Sequence, residues 1–185
     1  MLCLAFLITA CQPTPTVQAA DFGLVEVNRP SERIDLTDRA IVSLGEAQDL
    51  MDFKLPSDTP YGYRFEQDVW LFRYTSDARF HNAAMLVWVL RNHNTGQTNH
   101  MTLLVSDQLS YQSLMDAPEL AGYRSEVAAW PALAMLGEWS YAGQRMGQAD
   151  WASLVWIEDD LQYHLVSRRL YLGLQDLIII AESFD

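Results

Sequence analysis

Four histidines and one acidic tripeptide are the first candidates for metal binding or acid–base catalysis. His93 and His100 flank the polar loop 92–100, but a zinc site takes three or four protein ligands, and no cysteine or carboxylate joins this pair at a useful spacing. The tripeptide Glu158-Asp159-Asp160 lacks the alternating oxygen ligands and the glycine of a calcium loop. We therefore predict a solvated loop, a hairpin turn and no metal or other cofactor.

Other catalytic patterns are missing or incomplete. There is no Gly-x-Ser-x-Gly elbow, and Gly143-Gln-Arg-Met-Gly147 lacks the spacing and the Lys-Ser/Thr ending of a phosphate loop. Arg168-Arg169 is an isolated basic pair that is expected to end a hairpin. The sequence therefore predicts a protein that is not an enzyme.

Six tryptophans are the most informative side chains. One interpretation is that they fill the core of a small domain. The alternative is that some of them line a groove for a ligand or a partner, since aromatic side chains form good binding platforms. The residues selected as the candidate ligand or partner surface are Trp70, Trp130, Trp139 and Trp151.

The N-terminus is typical of a lipoprotein address. Residues 1–11 read MLCLAFLITAC, and Ile8-Thr9-Ala10-Cys11 resembles the bacterial lipobox, in which the cysteine is lipidated. No Lys or Arg precedes the apolar run, although signal peptides usually carry one. Two or more acyl chains anchor a protein stably. We expect lipidated Cys11 to hold the protein at the cell membrane, facing outside the cytoplasm.

Charge narrows the classes of partner. Formal net charge is -12, with 24 acidic and 12 basic residues. Nucleic-acid binding needs a clustered Lys/Arg surface, and no such cluster is visible in the sequence. Attraction to anionic lipid headgroups is disfavoured for the same reason. The expected partners are therefore the membrane, through the lipid anchor, and an envelope protein or an apolar ligand.

Local patterns predict two helices. Ser43-Leu44-Gly45-Glu46 fits a capping box and starts a helix near 43–52. Apolar residues spaced three and four apart predict a second helix near 174–184. These two helices would pack on one face of a sheet.

Two hairpins are predicted between the helices. Ala83–Arg91 is a continuously apolar strand, and Met101–Ser106 is its antiparallel partner across a loop that contains Gly96. Ala152–Ile157 and Leu161–Val166 form the second hairpin around the acidic turn. Together the patterns predict an α+β fold, with a mostly antiparallel sheet of about five to seven strands and helices packed on one face. The predicted organisation is a signal peptide (1–11), a tether and N-terminal arm (12–39) and a single α+β domain (40–185).

Two stretches carry a family resemblance. Ser43–Tyr63 has a capped helix, a Leu-Pro strand end and a Pro-x-Gly-Tyr turn, and Trp151–Phe184 has a Trp-containing hairpin and a terminal helix ending Ile-Ala-Glu-Ser-Phe. Their order resembles an uncharacterised bacterial extracytoplasmic domain family, found on lipoproteins and on the outer parts of anti-sigma-factor-like proteins. The resemblance implies an extracytoplasmic setting and carries no catalytic residues.

The leading functional prediction is a non-enzymatic, membrane-anchored domain that binds or senses at the cell envelope. One alternative is a carrier or chaperone for an apolar ligand such as lipid or lipoprotein, which requires a sizeable apolar cavity. The other is a hydrolase of envelope polymers, which requires two carboxylates roughly 5–10 Å apart across a cleft.

Overall fold

A computed structural model describes residues 36–57, 59, 62–76, 79–92, 94–109, 111–136, 138–139, 145–146, 151–168 and 171–185. The strands are β1 (Leu36–Val42), β2 (Arg64–Phe65), β3 (Val69–Ser76), β4 (Arg79–Arg91), β5 (Thr98–Ser106), β6 (Arg124–Val127), β7 (Trp130–Leu136), β8 (Glu138–Trp139), β9 (Arg145–Met146), β10 (Trp151–Glu158) and β11 (Leu161–Arg168). The helices are α1 (Leu44–Met51), α2 (Gln112–Met115) and α3 (Leu174–Ala181), with a 3₁₀ helix at Pro118–Tyr123.

One antiparallel sheet organises the molecule. Nine strands take part, in the order β1-β3-β4-β5-β11-β10-β7-β6, with β2 pairing with β4 beside β3. The strands β8 and β9 form a separate small hairpin. The central strand β11 lies between β5 and β10, so the second predicted hairpin is joined to the first by a pairing of residues about 60 positions apart.

The predicted α+β class is wrong, because the described chain is closer to a mostly-β fold. Two strands that were not predicted from sequence, β1 and β6, form the two edges of the sheet. Their sequences, LTDRAIV and RSEV, are too polar or too short to show a buried-strand pattern. They are strands because their backbone groups pair with β3 and β7. The strand β1 also spans the predicted boundary between arm and domain at residues 39 and 40.

Both predicted helices are present and pack against the same sheet face, which we call the helical face. The helix α1 has the capping box anticipated at Ser43 and Glu46. The helix α3 buries Leu177 and Ile180 in the apolar cluster of the helical face. Sheet residues of that cluster alternate along their strands, as a pleated strand requires; they include Leu86, Leu103, Leu154, Trp156 and Leu165.

The C-terminus closes this cluster over the helical face. Trp156 stacks on Tyr163 at 4.9 Å between ring centroids, and Phe184 meets both rings edge-on. Pro56 and Phe184 form an isolated bridge. The Lys54 ammonium pairs with Glu158, whose other oxygen accepts a 3.3 Å hydrogen bond from the Trp156 indole. Glu158, the first residue of the acidic tripeptide, thus forms a structural ion pair with Lys54.

The opposite side of the sheet, which we call the second face, has its own apolar cluster. Met85, Leu104, Leu133 and Val155 lie there together. The segment 111–123, comprising α2 and the 3₁₀ helix, covers them with the buried side chains of Tyr111 and Leu120 among others. The segment thus covers part of the second face.

Candidate functional site

A pair of arginines lies at one end of the second face, beyond the part covered by segment 111–123. Arg64 of β2 is directly opposite Val89 of β4. Arg91 lies two residues beyond Val89 on the same strand, so it shares that face and is a diagonal neighbour of Arg64. Diagonal pairs in a sheet have Cα atoms about 7–8 Å apart, which is within the reach of two long side chains.

Gly62 shapes the chain entry to β2. Its φ is +76°, in the left-handed region that favours glycine. A Cβ built at this position would come 3.9 Å from the Leu90 side chain, which is ordinary contact. The backbone conformation, rather than space, is therefore the reason for glycine here, and it directs the chain into the short strand that carries Arg64.

These residues enclose what we call the arginine groove. It has a volume of about 480 Å³ and is lined by Gly62, Arg64, Phe65, Glu66, Val89 and Arg91. The volume falls in the range of about 300–1,000 Å³ that is usual for small-molecule sites. Val89 is 6% exposed and supplies an apolar floor, whereas Arg64, Glu66 and Arg91 are exposed. The groove therefore combines a buried apolar contact with charged walls.

Its electrostatics run against those of the whole molecule. The chain has twice as many acidic as basic residues, yet two arginines line this one groove. Within the described part of the chain, no carboxylate forms an ion pair with Arg64 or Arg91. Glu66 also lines the groove and reduces its net positive charge. The arrangement presents two guanidinium groups and one carboxylate to a ligand.

Five residues lie side by side across the sheet in what we call the basic row: Arg64, Val89, His100, Arg168 and Trp151. His100 is opposite Val89, and Trp151 is opposite Arg168. Ser167 is opposite Met101, so the adjacent residues Arg168 and His100 continue the row. Neighbouring strands are about 4.8 Å apart, which places Arg168 roughly 14 Å from Arg64 along the row.

At the far end of the row, Arg168 lies over the Trp151 ring at 5.6 Å from the ring centroid. This is the distance of a cation–π contact. Trp151 is 9% exposed. Trp151 is therefore a predicted site residue that belongs to the basic row.

The other predicted site residues are spread over the molecule. Trp70 is half-buried and packs against the apolar cluster of the second face. Trp130 is half-buried against the cluster of the helical face. Trp139 lies in β8, and its side chain is outside the described part of the structure. Cys11 is outside the described residues. The structure does not bring Trp70 and Trp130 to one surface, and their role in binding stays a prediction.

Both turn predictions are confirmed in backbone terms. Asp159 and Asp160 connect β10 to β11 with φ values of 50° and 63°, as a tight hairpin requires. The loop between β4 and β5 turns at Gly96, whose φ is +69°. His100 lies on β5 and is exposed, whereas His93 lies outside the described residues.

A histidine–aspartate pair was missed by the sequence analysis. His81 Nδ1 lies 3.1 Å from Asp107 Oδ1. Asp107 also accepts hydrogen bonds from the Asn82 backbone N–H and side-chain amide. These bonds tie the start of β4 to the end of β5. We interpret the pair as a structural clasp, because the carboxylate is already occupied by Asn82.

His164 is a second unexpected feature. It is enclosed in the second face beside Tyr111, 6.1 Å between ring centroids, and neither ring nitrogen has a hydrogen-bond partner among the described residues. Burial lowers the pKa of His164 from 6.5 to about 4. The imidazole is therefore neutral at physiological pH and acts as a core side chain.

Sequence contained little to indicate the arginine groove. Arg64 and Arg91 are 27 positions apart, and neither belongs to a motif. A strand assignment for Ala83–Arg91 was available, but the pairing of its last residues with β2 was not. The groove follows from that pairing.

Among the described residues, no group of three or more His, Cys, Asp or Glu side chains is placed to hold a metal ion. No helix of the described chain has the length and apolar character needed to cross a membrane.

Comparison with known proteins assigns neither a family nor a function to this chain. No family model, no curated protein and no solved structure matches this chain. The resemblance to the bacterial extracytoplasmic domain family therefore remains a hypothesis based on the motifs in Ser43–Tyr63 and Trp151–Phe184.

Proposed function

We propose that this protein is a non-enzymatic binding domain, held at the outer side of a membrane by a lipid on Cys11, that recognises a ligand at the cell envelope. The observation that carries the binding role is the arginine groove. A concave site with an apolar floor and a few charged groups is typical of ligand binding. Neither α1 nor α3 contributes a described residue to its lining.

The lipobox supports the membrane location. Ile8-Thr9-Ala10-Cys11 supplies the small residues and the thiol that lipid attachment needs. The polar, proline-containing stretch QPTPTVQAA that follows suits an extended tether. A tether between the anchor and the folded part would keep the arginine groove clear of the membrane surface.

The two alternative functions receive less support. A carrier of apolar ligands needs a large apolar cavity, whereas the arginine groove has charged side chains in its lining. A hydrolase of envelope polymers needs two carboxylates across a cleft. Of the described residues that line the arginine groove, Glu66 alone carries a carboxylate.

The anchor is tested with Cys11→Ser. In a bacterial host that processes lipoproteins, the wild-type protein should fractionate with membranes, and mass spectrometry should find Cys11 acylated at the new N-terminus. Cys11→Ser should lose the acyl group and leave the membrane pellet after a carbonate wash. Cys3→Ser is the matched control and should stay lipidated. An unmodified Met1 on the membrane-purified wild-type protein would refute the anchor.

A further inference from the structure

The arginine groove and the basic row indicate the chemistry of the ligand. We propose that the groove binds a small organic oxyanion, a carboxylate or a phosphate monoester, with Arg64 and Arg91 contacting the anionic group and Val89 contacting its apolar part. This inference rests on the proposed binding function and specifies its ligand class.

The positions of Arg64 and Arg91 suit the binding of one anionic group. Guanidinium groups present a planar set of donors that matches carboxylate and phosphate oxygens. Arg64 and Arg91 approach the groove from adjacent strands on one face, as diagonal neighbours. Side chains that start about 7–8 Å apart can converge on one anionic group from two directions.

The exposure and the ion pairing of these two arginines also favour a binding role. Each is exposed, and no described carboxylate is paired with either. By contrast, Lys54 pairs with Glu158 and Asp159, and Arg124 donates to the carbonyls of Met115 and Ala117. Lys54 and Arg124 are thus engaged within the fold, whereas neither arginine of the groove has an ion-pair partner among the described residues.

The charge around the arginine groove favours a small anion. A net charge of -12 repels anions from most of the surface. Arg168 lies on the same face, roughly 14 Å from Arg64, and makes the approach to the groove locally less negative. Glu66 opposes a polyanion but can accept a hydrogen bond from a hydroxyl or ammonium group of the ligand. The groove therefore suits a small anion with a donor group better than a long polyanion.

The test is a titration of the full chain, held in uncharged detergent micelles, with benzoate and phenylphosphate. Benzamide, which has the same ring and no charge, is the control ligand. Binding is followed through the arginine Nε–Hε resonances. We expect the resonances of Arg64 and Arg91 to shift saturably with at least one anion, and benzamide to bind at least about tenfold more weakly, as expected for loss of a charge-assisted hydrogen bond. The anion that binds more tightly identifies the preferred head group.

Variants locate the site. Arg64→Gln and Arg91→Gln should each weaken anion binding about tenfold, and Glu66→Gln should strengthen it. Arg79→Gln is the matched control, because Arg79 is exposed on the same strand and the same face, at the opposite end. It should leave the affinity unchanged.

Two results would overturn the proposal: no saturable shift at Arg64 or Arg91 with either anion, or equal weakening by Arg79→Gln. The titration does not depend on lipid attachment. A failure of the Cys11 experiment would therefore remove the anchor and leave the ligand class standing.

Discussion

Trp156 is the residue on which the helical face depends most. Its side chain is 0% exposed, it stacks on Tyr163 and it donates to Glu158. The sequence predicts Trp156, Tyr163, Leu177 and Ile178 as core residues. The first three are buried, whereas Ile178 is half-buried and packs against their cluster. A large aromatic side chain in such a position cannot be removed without leaving a cavity.

We expect Trp156→Ala to lower the free energy of unfolding by about 3–5 kcal/mol, the usual cost of a large-to-small aromatic substitution in a core. Urea unfolding followed by far-UV circular dichroism measures it. Ile179→Ala is the control, because Ile179 is on the neighbouring helix and 57% exposed. Undiminished stability of Trp156→Ala would contradict the assignment of Trp156 to the core.

His164 links stability to pH. Because burial lowers its pKa from 6.5 to about 4, the unfolded chain binds a proton in this window and the folded chain does not. Stability from this residue is therefore fully present above pH 6.5 and is lost as the pH falls towards 4. The loss amounts to about 1.4 kcal/mol per pH unit, or roughly 3 kcal/mol in all.

His164→Met, which keeps a similar volume, should remove that dependence. Its stability advantage over the wild type should grow as the pH falls from 6.5 to 4, measured by urea unfolding at several pH values. Thr102→Val is the control, because it changes a buried side chain on the same face that does not titrate; its effect should be the same at each pH. Parallel pH profiles for the wild type and His164→Met would contradict the burial of a neutral imidazole.

At the scale of elements, α1 shows how strongly local sequence can act. Ser43 N–H donates to Glu46 Oε2 at 2.8 Å, and Glu46 N–H donates to Ser43 Oγ at 3.4 Å. Hydrogen bonding to Ser43 lowers the pKa of Glu46. The capping box predicted the start of this helix because its donors and acceptors are within four residues of one another.

Two substitutions in this first turn should act in opposite directions. Ser43→Ala should cost about 1 kcal/mol of stability, since the cap is lost. Gly45→Ala should gain about 0.5–1 kcal/mol, since alanine has the better helix propensity and a Cβ there meets no atom within 4 Å. Thermal unfolding of the two variants and of the double variant measures both effects. Destabilisation by Gly45→Ala would contradict the open space beside it.

Among elements, hairpins were predictable and edge strands were not. Gly96 and the aspartates of the acidic turn mark loops whose strands are adjacent in sequence. The strands β1 and β6 have no such marker, and their pairing partners supply the reason they are extended. Missing them led to the α+β prediction, since the strand content was undercounted.

At the scale of the whole molecule, the sheet separates two tasks. The helical face is closed by α1, α3 and the C-terminus around Trp156. The second face is covered at one end by segment 111–123, and at the other end it carries the basic row. A rigid sheet holds the arginines of the groove at a defined separation, which is an advantage for a binding site.

The sequence by itself determined the local features: the capped helix at Ser43, the hairpin turns at Gly96 and Asp159, and the terminal helix. Each depends on atoms within a few residues of one another. The tertiary structure decided the lateral order of the strands, the cover over the second face and the meeting of Arg64 with Arg91. Those depend on pairings between distant strands, where many registers satisfy local preferences and the packing of the whole sheet selects one.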